Sequence, residues 1–276
     1  MKYARDSRAS RSDEETAKLL FEALPWIKNL TGKTVVIKYG GAAMVDPRLR
    51  ADVMSDIVLL KIIGMKPVIV HGGGKDINAA LSHYDIPVRF KDGQRVTDEA
   101  TMEIVRQVLV GKVNEDLVAA INAHGNLAVG VSGSDAGTIV AERLDPELGR
   151  VGKISRINAD YLESLMDSEY IPVVATVAQG EDGGFYNINA DVAAGHIAAA
   201  VHAHKVIFLT DVDGLYEDFE DKDSLISNLT LEETEAMLSA GEVDRGMIPK
   251  LESCVHALRA GVFRSHIING TTPHSL

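Results

Sequence analysis

From residue 34 onward, short runs of β-branched residues alternate with longer stretches of helical period. Val35-Val36-Ile37 ends in Gly40-Gly41, and Asp46-Pro47 then supplies an N-cap and first-turn proline for a helix that stops near Gly64. Val68-Ile69-Val70 runs into Gly72-Gly73-Gly74, with another helical stretch behind it. The pattern predicts later strands at about 127–131, 138–142, 171–177, 205–210 and 265–269, with helices between several of them. Strands that are apolar throughout are buried on both faces, so the expectation is an α/β fold: a mostly parallel open sheet in an αβα sandwich. Asp92-Gly93 within RFKDGQRVT predicts a hairpin, and hence a sheet that is not purely parallel.

Residues 1–30 stand apart as an extension before the first strand. The first dozen are polar, with Arg5, Arg8 and Arg11, and are expected to be mobile. Ser12 and Glu15 then form a capping box. Leu20, Phe21, Leu24 and Ile27 follow at helical spacing, with Pro25 expected to kink the helix. This apolar stripe needs a cover, either its own subunit or another one.

Composition narrows the function classes. The chain has 276 residues, 46% hydrophobic, and a net charge of −12, which argues against nucleic acid and anionic membranes as partners. Cys254 is the one cysteine, so no intrachain disulfide forms and a reducing, cytoplasmic setting is expected. No apolar run reaches the roughly 20 residues of a membrane span, and MKYARDSRASRSDEET lacks a signal-peptide core.

Candidate chemistry gathers where strands end. Lys38 closes the first strand ahead of two glycines, an ammonium beside open backbone N–H groups, although an edge lysine before a turn has the same sequence. Three successive glycines at 72–74 between strand and helix leave N–H groups unpaired at a positive helix terminus, an anion site more than a mere tight turn. Neither the Walker A spacing nor G-x-G-x-x-G is present: Gly32-Lys33-Thr34 has Ile27 where the first glycine belongs, and GVSGSDAG does not fit. Arg95 suits a carboxylate held bidentately, although a lone arginine near a hairpin is more often a surface residue. NINAD, 187–191, places three polar side chains on alternate positions where a helix N-cap needs one. VIFLTDVDGLY runs from a buried strand into Thr210, Asp211 and Asp213, candidate partners of a nucleotide and its metal. DRGMIPK delivers Lys250 to a helix start, where the dipole is already positive and an anion should compensate. His71 and His196 are expected to be packed or capping residues rather than metal ligands, and Cys254 to be core.

Taken in order, K-x-G-G, H-G-G-G, G-x-R-x-T, N-x-N-A-D, T-D-V-x-G and G-M-x-x-K resemble the amino-acid kinase family, and within it the members that phosphorylate N-acetyl-L-glutamate. The resemblance spans about residues 34–270 and implies a three-layer αβα domain over 31–276. Its N-lobe, about 31–180, would hold the amino acid, and its C-lobe, about 181–276, ATP. It implies transfer from ATP with Mg²⁺ to the γ-carboxylate of N-acetyl-L-glutamate, a step of arginine biosynthesis. By motif match, Lys38 and Lys250 would bridge the phosphates and Asp191 would organise both. Gly40, Gly41 and Gly72 would bind the transferring phosphoryl, to which Gly73 and Gly74 would also donate N–H groups, and Gly73, Gly74, Arg95 and Asn187 would hold the substrate. Thr210, Asp211, Val212, Asp213, Gly214, Leu215, Tyr216, Glu242, Val243 and Asp244 would flank the nucleotide. An acceptor carboxylate with pKa near ~4.3 is already ionised, so no general base is needed, and catalysis reduces to positioning and charge. Arginine-inhibited members carry an N-terminal helix that interlaces dimers, which implies a hexamer with L-arginine as feedback inhibitor. The chain ends at IINGTTPHSL, where the resemblance leads one to expect a further leucine-rich segment bearing on the last strand and any effector site. The alternatives are a family member acting on glutamate, aspartate or carbamate, and a non-catalytic sensor, for which one of Lys38, Asp191 and Lys250 should be missing.

Overall fold

The computed structural model describes residues 12–44, 46–218, 220–244 and 246–276. Arg5, Arg8 and Arg11, with the expectation attached to them, lie outside that range. Six strands form one sheet: β1 (Thr34–Tyr39), β2 (Lys66–His71), β3 (Ala128–Ser132), β4 (Ile171–Ala175), β5 (Lys205–Thr210) and β6 (Arg264–Asn269). Their spatial order is β6-β5-β1-β2-β4-β3, and every neighbouring pair is parallel. The expected antiparallel admixture is therefore absent from this sheet. The Asp92-Gly93 turn does form, with both residues at positive φ (49° and 78°), but its strands Phe90–Lys91 and Gln94–Arg95 pair only with each other.

The helices are α1 (Asp13–Leu30), α2 (Pro47–Ile62), α3 (Gly74–His83), α4 (Glu99–Arg106), α5 (Glu115–Asn122), α6 (Asp160–Asp167), α7 (Ala190–Ala200), α8 (Leu231–Ala240) and α9 (Ile248–Arg259). Alternation along the strands sends residues to two cores. Val35, Ile37, Tyr39, Ile69, Val173 and Ala175 pack against α2, α3 and the α4–α5 region. Val36, Val68, Val70, Val174, Val206 and Phe208 pack against α6, α7 and α9 on the other face. Each such side chain, fully buried, contributes about 1.5–3 kcal/mol, and the result is the three-layer αβα sandwich.

A second sheet, ordered Phe185–Asn187, Val177–Gly180, Ile139–Arg143 and Gly152–Ile157, continues from the ends of β3 and β4. The strand expected at 138–142 belongs here, and the run expected over 171–177 breaks at Thr176, whose hydroxyl donates to the His71 carbonyl at 3.3 Å. Asp46 caps α2 as the sequence predicts, and Ser12 and Glu15 make their reciprocal bonds at the start of α1. Pro25 removes one rung of α1, and the helix continues past it to Leu30. No residue of α1 is buried. Among the described residues, no helix is long and apolar enough to cross a membrane.

Candidate active site

Lys38 has the parity of Val36, so its side chain leaves β1 on the face covered by α7. There it meets Asp191, in the first turn of α7, at 3.1 Å. Lys250, in the first turn of α9, reaches the other oxygen of the same carboxylate at 3.2 Å and also donates to the Gly246 carbonyl at 3.4 Å. The compensating anion that a lysine at a helix start demands is therefore supplied within the chain. All three side chains are largely shielded, at 11% exposure for Lys38, 14% for Lys250 and 9% for Asp191. The Lys38 contact is Coulombic only, because Asp191 Oδ1 accepts no hydrogen bond. Two ammonium groups against one carboxylate leave a surplus positive charge in a shielded place, which favours an anion. Within NINAD the labour divides: Asn189 caps α7 through the Asp191 and Val192 N–H groups, while Asn187 donates to Thr97 Oγ1 at 3.3 Å.

A cavity of about 250 Å³ opens at this cluster, walled by Lys38, Gly72–Gly74, Arg95, Thr176 and 187–191. Gly73 precedes α3 with no side chain capping the helix, so the first-turn N–H groups face this space unpaired. A Cβ at Gly73 would stand 2.7 Å from Leu109 Cδ2 and 3.2 Å from Val113 Cγ2, so any side chain there must displace these two. Arg95 lies 9% exposed, its guanidinium 4.9 Å over the Phe90 ring. Its Nη2 donates to Asn78 Oδ1 at 2.6 Å and to the Gly74 carbonyl at 3.2 Å, while its Nη1 is buried with no acceptor. Burial pushes the Arg95 pKa down, yet a guanidinium stays charged, and an unpaired buried donor of this kind calls for a carboxylate. Gly40 lies against the Lys38 ammonium and Gly41 opens a short 3₁₀ turn at φ 73°; neither lines the small cavity.

A larger cavity, about 700 Å³, is walled by Thr210, Asp211, Val212, Gly214, Leu215, Tyr216, Glu242, Asp244 and Lys250, with Glu217, Asp218, Gly246 and Met247. Two residues of the expected set sit elsewhere. Asp213 turns away, accepting from Asn269 Nδ2 at 2.8 Å and from the Tyr216 hydroxyl at 3.2 Å. Val243 is buried in a small core with Met247 and Leu251. Lys250 belongs to the larger cavity and Asp191 to the smaller, so the two spaces meet at the ion cluster. His71 is buried, His196 stacks on His256 with centroids 3.9 Å apart, and Cys254 is core.

Residues 33–269 match the model of the amino acid kinase family. The chain belongs to the amino acid kinase family. Among the curated relatives in this family, an acetylglutamate kinase of Caldanaerobacter subterraneus subsp. tengcongensis is 52% identical over 262 residues, 94% of this chain and 88% of the relative. A chloroplastic acetylglutamate kinase of Arabidopsis thaliana is 48% identical over 267 residues, 96% of this chain and 77% of the relative. The fold is shared with a solved N-acetylglutamate synthase of Neisseria gonorrhoeae at TM-score 0.80 and 22% identity, covering 93% of this chain and 59% of that longer one. Carbamate kinase from Giardia lamblia, bound to AMP-PNP, has TM-score 0.66 and 17% identity, covering 88% of this chain and 94% of that one. The two solved structures speak for the fold alone.

Proposed function

We propose that this amino acid kinase moves the γ-phosphoryl group of ATP onto the γ-carboxylate of N-acetyl-L-glutamate, a step of arginine biosynthesis. The observation that carries this is the single carboxylate of Asp191 between Lys38 and Lys250, at the junction of a nucleotide-sized and a small-acid-sized cavity. Near-half identity to acetylglutamate kinases over almost the whole chain supports the choice of acceptor.

In this reading ATP occupies the larger cavity, with its ribose and base toward 210–216 and Glu242–Asp244, and Mg²⁺ arrives with it as part of the substrate. N-acetyl-L-glutamate occupies the smaller cavity, one carboxylate on Arg95 Nη1 and the chain beside Asn187. The other carboxylate, ionised at neutral pH, attacks the γ-phosphorus in line; the new P–O bond forms as the bond to the β,γ-bridging oxygen breaks, and ADP keeps that electron pair. Repulsion between the two anions is the main barrier. Lys38, Lys250 and the Gly73 and Gly74 N–H groups offset it, and Asp191 keeps the lysines at fixed positions without cancelling their net charge. Residues before and after about 180 both wall the acceptor cavity, which supports a site shared between the two lobes.

The exposed stripe on α1, with Leu20 64%, Phe21 74% and Leu24 57% exposed, supports assembly through this helix. The assembly in this reading is a cytoplasmic hexamer of interlaced dimers, with L-arginine as feedback inhibitor. Trapping the acyl phosphate with hydroxylamine tests the activity: N-acetyl-L-glutamate should react far faster than glutamate, aspartate or carbamate, and equal rates would reject the acceptor. Deleting residues 1–30 should give active dimers by light scattering; a persistent hexamer would reject the role of α1.

A further inference from the structure

His71, the last residue of β2, is fully buried on the face that otherwise carries Ile69, Tyr39 and Ala175. A polar ring in an apolar layer is costly unless both nitrogens are engaged. Here both are. Asn114 Nδ2 lies 2.9 Å from His71 Nε2 and 2.7 Å from the Val173 carbonyl oxygen, so the amide spends its two hydrogens on a ring nitrogen and a carbonyl. Nε2 is thereby the acceptor, and Nδ1 carries the proton that it donates to the Gly72 carbonyl at 3.0 Å. Burial pushes the ring's pKa down to about 4, consistent with that neutral form.

Asn114 reaches His71 because the helix between α4 and α5 is π-helical over Gln107–Asn114. Such segments persist mainly where a function needs them. Gly130 on β3 leaves room for the amide, since a Cβ there would stand 2.2 Å from Asn114 Oδ1. The same π-helical turn presses Leu109 and Val113 against Gly73.

A planar trans peptide points its N–H opposite to its C=O. We propose that His71, clamped by Asn114, is a positioning residue for phosphoryl transfer: by holding the Gly72 carbonyl it aims the Gly73 N–H at the transferring group. Among the described residues nothing within the chain accepts from that N–H. This role presupposes the phosphoryl transfer proposed above, and the test separates the two.

His71→Leu should lower kcat by roughly ten- to a hundredfold, less than the roughly 10²–10³ of deleting such a donor outright. KM for both substrates should stay within about twofold, because a displaced N–H weakens the transition state more than the ground state. His71→Asn, whose amide replaces the Nδ1 donor, should regain most of the loss. Wild-type kcat in His71→Leu, or no recovery in His71→Asn at matched Tm, overturns the assignment. The ¹⁵N-glycine-labelled protein supplies a readout independent of any substrate: the Gly73 amide resonance should move in His71→Leu and return in His71→Asn. If the wild-type protein phosphorylates none of the acids but these shifts appear, the activity fails and the positioning stands; an unmoved Gly73 resonance overturns the positioning. Should the leucine variant not fold, Asn114→Ser unclamps the ring without replacing it. The same kcat fall and Gly73 shift are expected there, and unchanged values overturn the assignment.

Discussion

Gly195 of α7 lies against the backbone of Ser253 in α9, so closely that a Cβ at Gly195 would stand 2.8 Å from the Ser253 carbonyl oxygen. One turn earlier on each helix are Asp191 and Lys250, 3.2 Å apart. The crossing therefore sets the separation of that ion pair. Gly195→Ala should push the helices apart at a cost of about 1–3 kcal/mol, seen as a lower Tm. Its kcat should fall as Lys250 leaves Asp191, while KM for N-acetyl-L-glutamate, proposed to bind on the other side of Asp191, changes little.

The three members of the ion cluster should differ in kind. Lys38→Ala and Lys250→Ala each leave one ammonium facing one carboxylate, a neutral pair, and should lose about 10²–10³ in kcat with a modest change in Tm. Asp191→Asn leaves two shielded ammonium groups facing each other and should be the least stable, by on the order of 3 kcal/mol. Added sulfate or phosphate should restore Tm in Asp191→Asn more than in the other two, measured by thermal denaturation across an anion titration.

Arg95→Lys keeps the charge but loses the fork that leaves Nη1 free while Nη2 is tied to Asn78 and Gly74. Steady-state kinetics should show KM for N-acetyl-L-glutamate rising about tenfold or more, with KM for ATP unchanged. A rise confined to ATP would put Arg95 in the wrong subsite.

Stability should depend on pH through two imidazoles, His71 buried and His196 half-buried. Burial lowers the pKa of His71 and His196 to about 4 from 6.5, and at His196 the stacked His256 adds to it. Between those values the unfolded chain binds protons that the folded one does not, so stability is complete above pH 6.5 and is lost as pH falls toward 4. Urea denaturation across that range should show this slope, and His71→Asn and His196→Gln should each flatten it.

Much of the layout was legible in advance because it rests on local rules. Runs such as Val68-Ile69-Val70 announce strands covered on both faces, and Asp46-Pro47 and Ser12 with Glu15 announce helix starts. The ion cluster was legible as three motifs, and the family resemblance implied that Asp191 organises both lysines; the residues alone did not show it, because that needs strand alternation and a helix crossing together. Asp213 and Val243 were placed with their neighbours because a motif was taken as one continuous lining. The loop conformation instead sends one to Asn269 and the other into the core. The Asn114–His71 clamp had no local signature. It depends on a π-helical turn that wider hydrogen-bond spacing creates, and no residue in QVLVGKVN announces it. The strand Gly152–Ile157 was missed because Lys153, Ser155 and Arg156 make half of it polar, with Ile154 its one buried side chain.

The exposed helix α1 also carries the chain's one tryptophan, Trp26, at 72% exposure, on the side of the helix away from the Leu20, Phe21 and Leu24 stripe. Indole emission from the entire protein therefore originates on α1, outside the ion cluster. While that helix is wet, the spectrum should be red-shifted and readily quenched by iodide; once it is covered, the emission should move to the blue and resist quenching. With assembly through α1 as proposed, dilution followed by fluorescence is a label-free titration of quaternary state, and emission unchanged on dilution counts against that assembly.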